Sequence, residues 1–216
     1  MNENNFAGIA LEEAYRWFEI LNKKYYQNKL DYPVITIQKS PRGKTMGWFT
    51  IDRVWTPKEE QNKDEKSKYE ICLCGEFLND DIHEVIGILH HEMVHYANKV
   101  NNIKDCNNQI HNKQFKNLAE SVNLIVEKSK KYGFGHTTCS PELIKFIDET
   151  IKPSESCFEY FRNVPKKESK ETKKTQFTYQ CPECKEKIKA KADKIIICGN
   201  CSDIDSDNII EFEIQE

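Results

Sequence analysis

Five consecutive residues, His91-Glu-Met-Val-His95, bring together two imidazoles that can bind a divalent cation and a carboxylate that can move a proton. On a helix, at about 100° per residue, His91 and His95 lie about 40° apart and one turn along the axis, so both can reach one ion. Glu92 falls about 60° beyond His95 on the helical wheel. That places it beside such an ion and not on it, where it can take a proton from a water activated there. A zinc centre that does chemistry also needs a third protein ligand and one open position. Metzincin spacing would require Gly at 98 and His at 101; the chain has Asn98 and Asn101, which excludes that class. Two candidates stand further on. His111 follows His95 after 15 intervening residues and opens the next predicted helix. Glu120 lies on that same helix. His111 is favoured, and Glu120 is kept as the alternative ligand, its other roles being a partner to a ligand or a surface charge. His83, His90, His136 and Tyr132 stay outside the main assignment: His83 and His90 point off the ligand face, and His136 and Tyr132 lie in a loop.

A second constellation lies near the C-terminus: Cys181-Pro-Glu-Cys184, thirteen residues, then Cys198-Gly-Asn-Cys201. Paired CxxC knuckles place four thiolates around a tetrahedral ion, with Gly199 expected to let the backbone turn toward the sulfurs. Sulfur fills every position, so this site is closed and structural. The other five cysteines are scattered and read as small hydrophobes. Nine cysteines with no export signal point to metal or free thiols and not to disulfides.

Charge around the cysteines is uneven. Between Lys166 and Lys194 there are ten lysines and five acids, and from Ile195 to Glu216 six acids and no Lys or Arg. Lys185, Lys187, Lys189, Lys191 and Lys194, with Phe177 and Tyr179 as stacking platforms, read equally well as a single-strand nucleic-acid patch or as a solvated strand face. The net charge of -3 excludes bulk attraction to polyanions, so any such binding is local.

The elements that must position these residues follow from periodicity. Ile82, Val85, Ile86, Leu89 and Met93 form an apolar stripe, so the HExxH helix is expected to be buried and central, with Asn79 or Asp80 as its cap. An amphipathic helix over 9–27 precedes three short strands near 34–38, 46–51 and 69–73. The charged stretch Lys58 to Lys68 reads as a solvated hairpin loop. A second helix is expected from His111 to about Lys128 and a short closing helix from Pro141 to Ile151. The length of 216 residues suits one domain of about 150 residues with a small appendage. The predicted organisation is a domain over 1–152, a charged linker over 153–176 and a metal module over 177–216. No run is long and apolar enough for a membrane span, and the N-terminus lacks the pattern of a secretion signal. A monomer in the cytoplasm or at the nucleoid is expected.

The order of Leu21-Asn22 and Tyr25-Tyr26, Gly47-Trp-Phe, Leu89-His-His-Glu-Met-Val-His95 and His111-Asn-Lys-Gln-Phe115 resembles the SprT-like metalloproteases, the group that includes Spartan. The CxxC pairs are similar to the zinc ribbon that accompanies many of them. The resemblance implies an α+β zincin-like domain, a small sheet packed on the HExxH helix, followed by a zinc ribbon. It implies His91, His95 and His111 as ligands of a catalytic Zn2+, Glu92 as catalytic base, and a structural Zn2+ on Cys181, Cys184, Cys198 and Cys201. It also implies peptide-bond hydrolysis in proteins bound or crosslinked to DNA, and the lysine pattern described above adds single-stranded DNA as an expected partner through ribbon and linker. One position departs from the family pattern: Asn112 stands where a glycine usually follows the third ligand, and asparagine tolerates unusual backbone angles. The alternative of a different class is a non-proteolytic nucleic-acid-binding zinc module, against which Glu92 argues, since a structural site needs the histidines and not the base.

Overall fold

The apolar stripe around the HExxH motif forms one long buried helix. In a computed structural model of the chain, which describes residues 6–41, 43–58, 66–154, 157–163, 176–203, 205 and 208–215, two compact units appear, Met1–Val164 and Pro165–Glu216. The first contains α1 (Phe6–Tyr25), β1 (Val34–Gln38), β2 (Gly47–Phe49), β3 (Glu70–Cys74), α2 (Ile82–Val100), β4 (Cys106–Asn107), β5 (Ile110–His111), α3 (Lys113–Ser121), β6 (Leu124–Ser129), β7 (Gly133–Cys139) and α4 (Pro141–Phe146), which runs into a π-helical turn, Ile147–Ile151.

Helix α2 carries the HExxH motif and buries Val85, Ile86, Leu89, Met93 and Val94 almost completely. Against it pack α1, β2, β3, α3 and β7. From α1 come Ala14, Trp17, Phe18 and Leu21, all fully buried. The first sheet is mixed, in the order β1-β3-β2: β1 runs parallel to β3 and β2 antiparallel to it, with Gly47 opposite Leu73 and Phe49 opposite Ile71. The second sheet has the order β4-β5-β7-β6. Among the described residues no helix is long and apolar enough to cross a membrane.

Several expectations need correction. The cap of α2 is neither Asn79 nor Asp80 but Asp81, whose carboxylate accepts the N–H of His83. The helix expected from His111 to Lys128 stops at Ser121, because Asn123 takes a left-handed conformation (φ 66°) and the β-branched run that follows pairs with β7. Ile125 is therefore an exposed strand residue and not a core helix residue. The first unit also continues past residue 152: Cys157 is buried, Phe158 packs edge-on against Trp17, and Arg162 N–H donates to the Gly75 carbonyl. The composition break at Pro153 thus precedes the end of the packing. At the charged stretch, Trp55 and Lys68 exchange backbone hydrogen bonds; residues 59–65 between them lie outside the described residues, as do residues 164–175 of the expected linker.

The second unit has a sheet in the order β10-β8-β9, from Phe177–Gln180 (β8), Lys187–Ala190 (β9) and Glu213–Gln215 (β10). Tyr179 is buried and its hydroxyl donates to the Lys191 carbonyl, so it is a core residue and not a stacking platform.

The N-terminus of α2 is tied to the closing turn by His83, whose ring nitrogens lie 2.7 Å from Asp81 and 2.8 Å from Asp148. Partial burial works against protonation of His83, and the carboxylates of Asp148 and Asp81 outweigh it, so its pKa is raised. The stabilisation is therefore fully present below the ordinary histidine range and is lost as pH rises through the raised value. His83→Gln is expected to cost about 0.5–1 kcal/mol at pH 5.5 and progressively less toward pH 8.5. Thermal melts of both proteins across that range check this, and a cost that does not change with pH would count against the ion pairs.

Candidate metal centre

Three histidine side chains meet at one point between α2 and the second sheet. His91 and His95 project from the same face of α2, and His111 ends β5. The His91 and His111 Nε2 atoms are 3.2 Å apart, and those of His95 and His111 are 3.0 Å apart. Each ring is held from behind through Nδ1: His95 by the Asp105 carboxylate at 2.8 Å, His91 by the Thr137 hydroxyl at 2.9 Å, and His111 by the Tyr132 carbonyl at 3.3 Å. A carboxylate and a carbonyl only accept hydrogen bonds, so His95 and His111 carry their protons on Nδ1. Their Nε2 lone pairs therefore face each other at contact distance, which is repulsive unless a cation lies between them. Tetrahedral zinc with nitrogen ligands would place such atoms about 3.3–3.4 Å apart. The donor set fits.

The electrostatics agree with neutral ligands. Burial, with the neighbouring His95 and His111, pushes His91 well below the usual histidine range, and burial together with His95 brings His111 down to about 4. Metal binding requires deprotonated imidazoles, so these two rings need not lose a proton at neutral pH. Asp105 loses hydration through burial, but hydrogen bonds from His95 and Asn98 outweigh this and hold its carboxyl below the usual range. Phe115, fully buried, lines the site, with its ring centroid 4.7, 4.6 and 4.5 Å from those of His91, His95 and His111.

Glu92 is buried beside this group. Burial pushes its carboxyl up to about 7, partly offset by His95 and by the backbone N–H of Phe49. Strand β2 reaches it because Gly47 has no side chain: a Cβ there would stand 2.8 Å from Ile88, 2.9 Å from the Cys72 carbonyl and 3.4 Å from Glu92 Cγ. Gly135 does the same for the third histidine, since a Cβ on it would lie 2.5 Å from His111 Nδ1.

The other candidates separate from the centre. Glu120 is half exposed and pairs with Lys116 at 3.5 Å on α3, outside the histidine group. His90 is fully buried, Nε2 against the Val122 carbonyl and Nδ1 near the Tyr26 hydroxyl; it is a core residue, and burial brings it down to about 4. His136 is exposed and faces Glu127. Tyr132 contributes its carbonyl to His111, with Lys131 over its ring. Asp105, Thr137 and Phe115 as contacts of the histidines went unforeseen; only Phe115, one turn after His111, had a spacing that could have signalled it. Asn112 has φ -99°, so the departure from glycine involves no unusual backbone angle. Its side chain caps α3, accepting from the Gln114 and Phe115 N–H groups.

In the second unit Cys181, Cys184, Cys198 and Cys201 place their sulfurs within 4.8 Å of one another. Cys184 and Cys198 Sγ are 3.7 Å apart, against about 3.8 Å for two thiolates on tetrahedral zinc. The left-handed residue of the knuckles is Lys185 (φ 62°), while Gly199 needs no positive φ and faces open space, which corrects its expected role. Lys187, Lys189, Lys191 and Lys194 are exposed, and Lys185 donates to the Pro182 carbonyl.

The geometry separates the two ligand candidates. His111→Ala should lower zinc content by about one ion per chain, and Glu120→Ala should leave it unchanged, because the first removes one of three convergent nitrogens and the second a surface charge. Elemental analysis of the purified variants, with the cysteine cluster counted as a separate site, reads this directly. Zinc lost from Glu120→Ala and kept by His111→Ala would move the third ligand to α3.

The SprT-like family model matches residues 14–139, a span that takes in most of α1, the first sheet, the HExxH helix, His111 and β7. No curated protein and no solved structure matches the chain significantly. A match over more than half of the chain, enclosing all three convergent histidines and Glu92, establishes that the chain belongs to the SprT-like family.

Proposed function

We propose that the chain is a zinc-dependent endopeptidase with a zincin-like catalytic domain over about 1–152, extended by the packing of 157–163, and that its substrates are proteins bound or crosslinked to DNA. The observation that carries the peptidase reading is the convergence of three Nε2 atoms one residue away from a buried carboxylate. His91, His95 and His111 would hold the catalytic zinc, which when bound polarises a scissile carbonyl and acidifies a water. Glu92 takes the proton of the attacking water and delivers it to the leaving amine nitrogen. Its raised pKa, near neutrality, suits a group that must both accept and release a proton. Asp105, Thr137 and the Tyr132 carbonyl orient the imidazoles. Strand β2 is the outer strand of its sheet, so an extended, unfolded segment of substrate has a main-chain edge to pair with beside Glu92.

The four cysteines hold a structural zinc in this reading. DNA targeting draws its support from exposed Lys187 and Lys189 on one face of the edge strand β9, with Lys191 and Lys194 following. A specific observation favours a second reading of the ribbon: Ile195, Ile197, Ile209 and Ile214 are each about half exposed or more, which suits a protein-docking face. The non-proteolytic alternative keeps the metal and dispenses with Glu92.

Glu92→Gln should retain both zinc ions and the fold while cutting cleavage of a denatured protein about 10²–10⁴-fold. Wild-type rates from this variant would overturn Glu92 as the base, and a wild-type chain that cleaves nothing would leave the non-proteolytic reading. Replacing Cys181 and Cys184 with Ser should unfold the ribbon, because so small a module depends on its metal. Activity on free unfolded protein should persist, and activity on DNA-bound protein should fall. Single-strand affinity of the intact chain should decrease with salt at a log–log slope of roughly -2 to -3, as for three or four phosphate contacts. Equal affinity with and without an intact ribbon, read by fluorescence anisotropy, would favour the protein-docking face.

A further inference from the structure

The three imidazoles are not held alike. Thr137 offers His91 a hydroxyl, which accepts or donates, and Tyr132 offers His111 a carbonyl at 3.3 Å. Only His95 is held by a charged group: Asp105 Oδ2 accepts its Nδ1 proton at 2.8 Å. A carboxylate behind an imidazole fixes the tautomer, aims the Nε2 lone pair and makes the ring a better electron donor.

Asp105 is itself held on three sides. Its side chain is 14% exposed. Asn98, buried on the last turns of α2, donates Nδ2 to the same Oδ2 at 3.0 Å. The Asn112 N–H donates to the Asp105 carbonyl at 2.9 Å, and the Asn112 side chain donates to the Lys104 carbonyl at 2.8 Å. The loop is closed again where the Ile103 N–H donates to the Asn98 carbonyl at 2.8 Å. Asn98 and Asn112 are thus structural contacts with one common result, a carboxylate that cannot swing away from His95. The side chain of Asn112, one residue after the third histidine, both caps α3 and clamps this loop.

We propose that Asp105 is the positioning residue of the histidine centre, and that Asn98 and Asn112 lock it against His95. This rests on the reading that His91, His95 and His111 bind zinc. Asp105 touches no substrate in this role; it acts through His95.

The test measures zinc affinity of the full chain by competition with a chromophoric chelator, the cysteine site serving as internal reference. Asp105→Asn preserves shape and an oxygen acceptor but removes the charge; Asp105→Ala removes both. Affinity at the histidine site is expected to fall about 10–100-fold in Asp105→Ala and by a smaller factor in Asp105→Asn, with the cysteine site unmoved. In NMR spectra of the zinc-loaded proteins, the His95 Nδ1 proton should be downfield and slow to exchange in wild type. It should be less downfield in Asp105→Asn and lost to exchange in Asp105→Ala. If Asp105→Ala does not fold, the Asn variant carries the test alone. Wild-type affinity and an unshifted Nδ1 proton in Asp105→Asn would then overturn the proposal, as would wild-type affinity in both variants. A wild-type chain that binds a single zinc, at the cysteines, would instead overturn the underlying reading of the histidines.

Discussion

Lone pairs on neighbouring nitrogens repel, and the first unit holds at least two of them about 3 Å apart where α2 meets the second sheet. The arrangement persists because every ring is gripped from the side away from the convergence point, by Asp105, Thr137 and the Tyr132 carbonyl. Much of the fold supplies those grips. Helix α2 must be buried deeply enough to be immobile, β7 must lie close enough for Thr137 and Gly135 to meet His91 and His111, and the 101–112 segment must return to α2 after leaving it. Burial of His91 and His111 serves the same end, since it disfavours their protonation and leaves them able to donate to a cation.

Close approach of backbone to side chain recurs at both ends of the site. Gly47 lets β2 come against Ile88 and Glu92, and Gly135 lets β7 come against the His111 ring. The first contact brings a strand against a helix face that carries large side chains, the second brings β7 under a ring carried by its neighbour β5, and a Cβ at either glycine would push them apart. Burial makes the Glu92 carboxylate reluctant to ionise, and the Phe49 N–H that β2 brings to it offsets this only in part.

Much of the site was legible because its ligands sit at helical spacing or in paired knuckles, patterns that follow from local geometry alone. His91, Glu92 and His95 needed only a helix, and the apolar stripe from Ile82 to Met93 guaranteed one. The strands over 34–38, 47–49 and 70–74 were visible as short β-branched or aromatic runs. What stayed hidden depended on tertiary placement. Nothing local distinguishes Asp105 from the other acids, or Thr137 from the other threonines; each matters because a distant segment folds against it. The overrun of the second helix had a different cause: 111–128 has apolar residues at helical intervals, but Asn123 breaks the backbone direction and a partner strand supplies ladder bonds that periodicity does not register. Phe158 was read as linker because its packing partner, Trp17, lies at the other end of the unit.

The spacing of the three histidines also bears on the order of events during synthesis. His95 and His111 are 16 residues apart, and His91 and His111 are 20 apart. Closing loops of that size costs roughly 0.5–0.7 kcal/mol less chain entropy than pairing β1 to β3, whose partners are 36 positions apart. A cation captured by this short loop would tether α2 to β5 before Thr137 has left the ribosome, and well before the first of the four clustered cysteines is made. The metal would then act as an early nucleus around which the second sheet assembles, and the hydrogen bond from Thr137 to His91 would form after it.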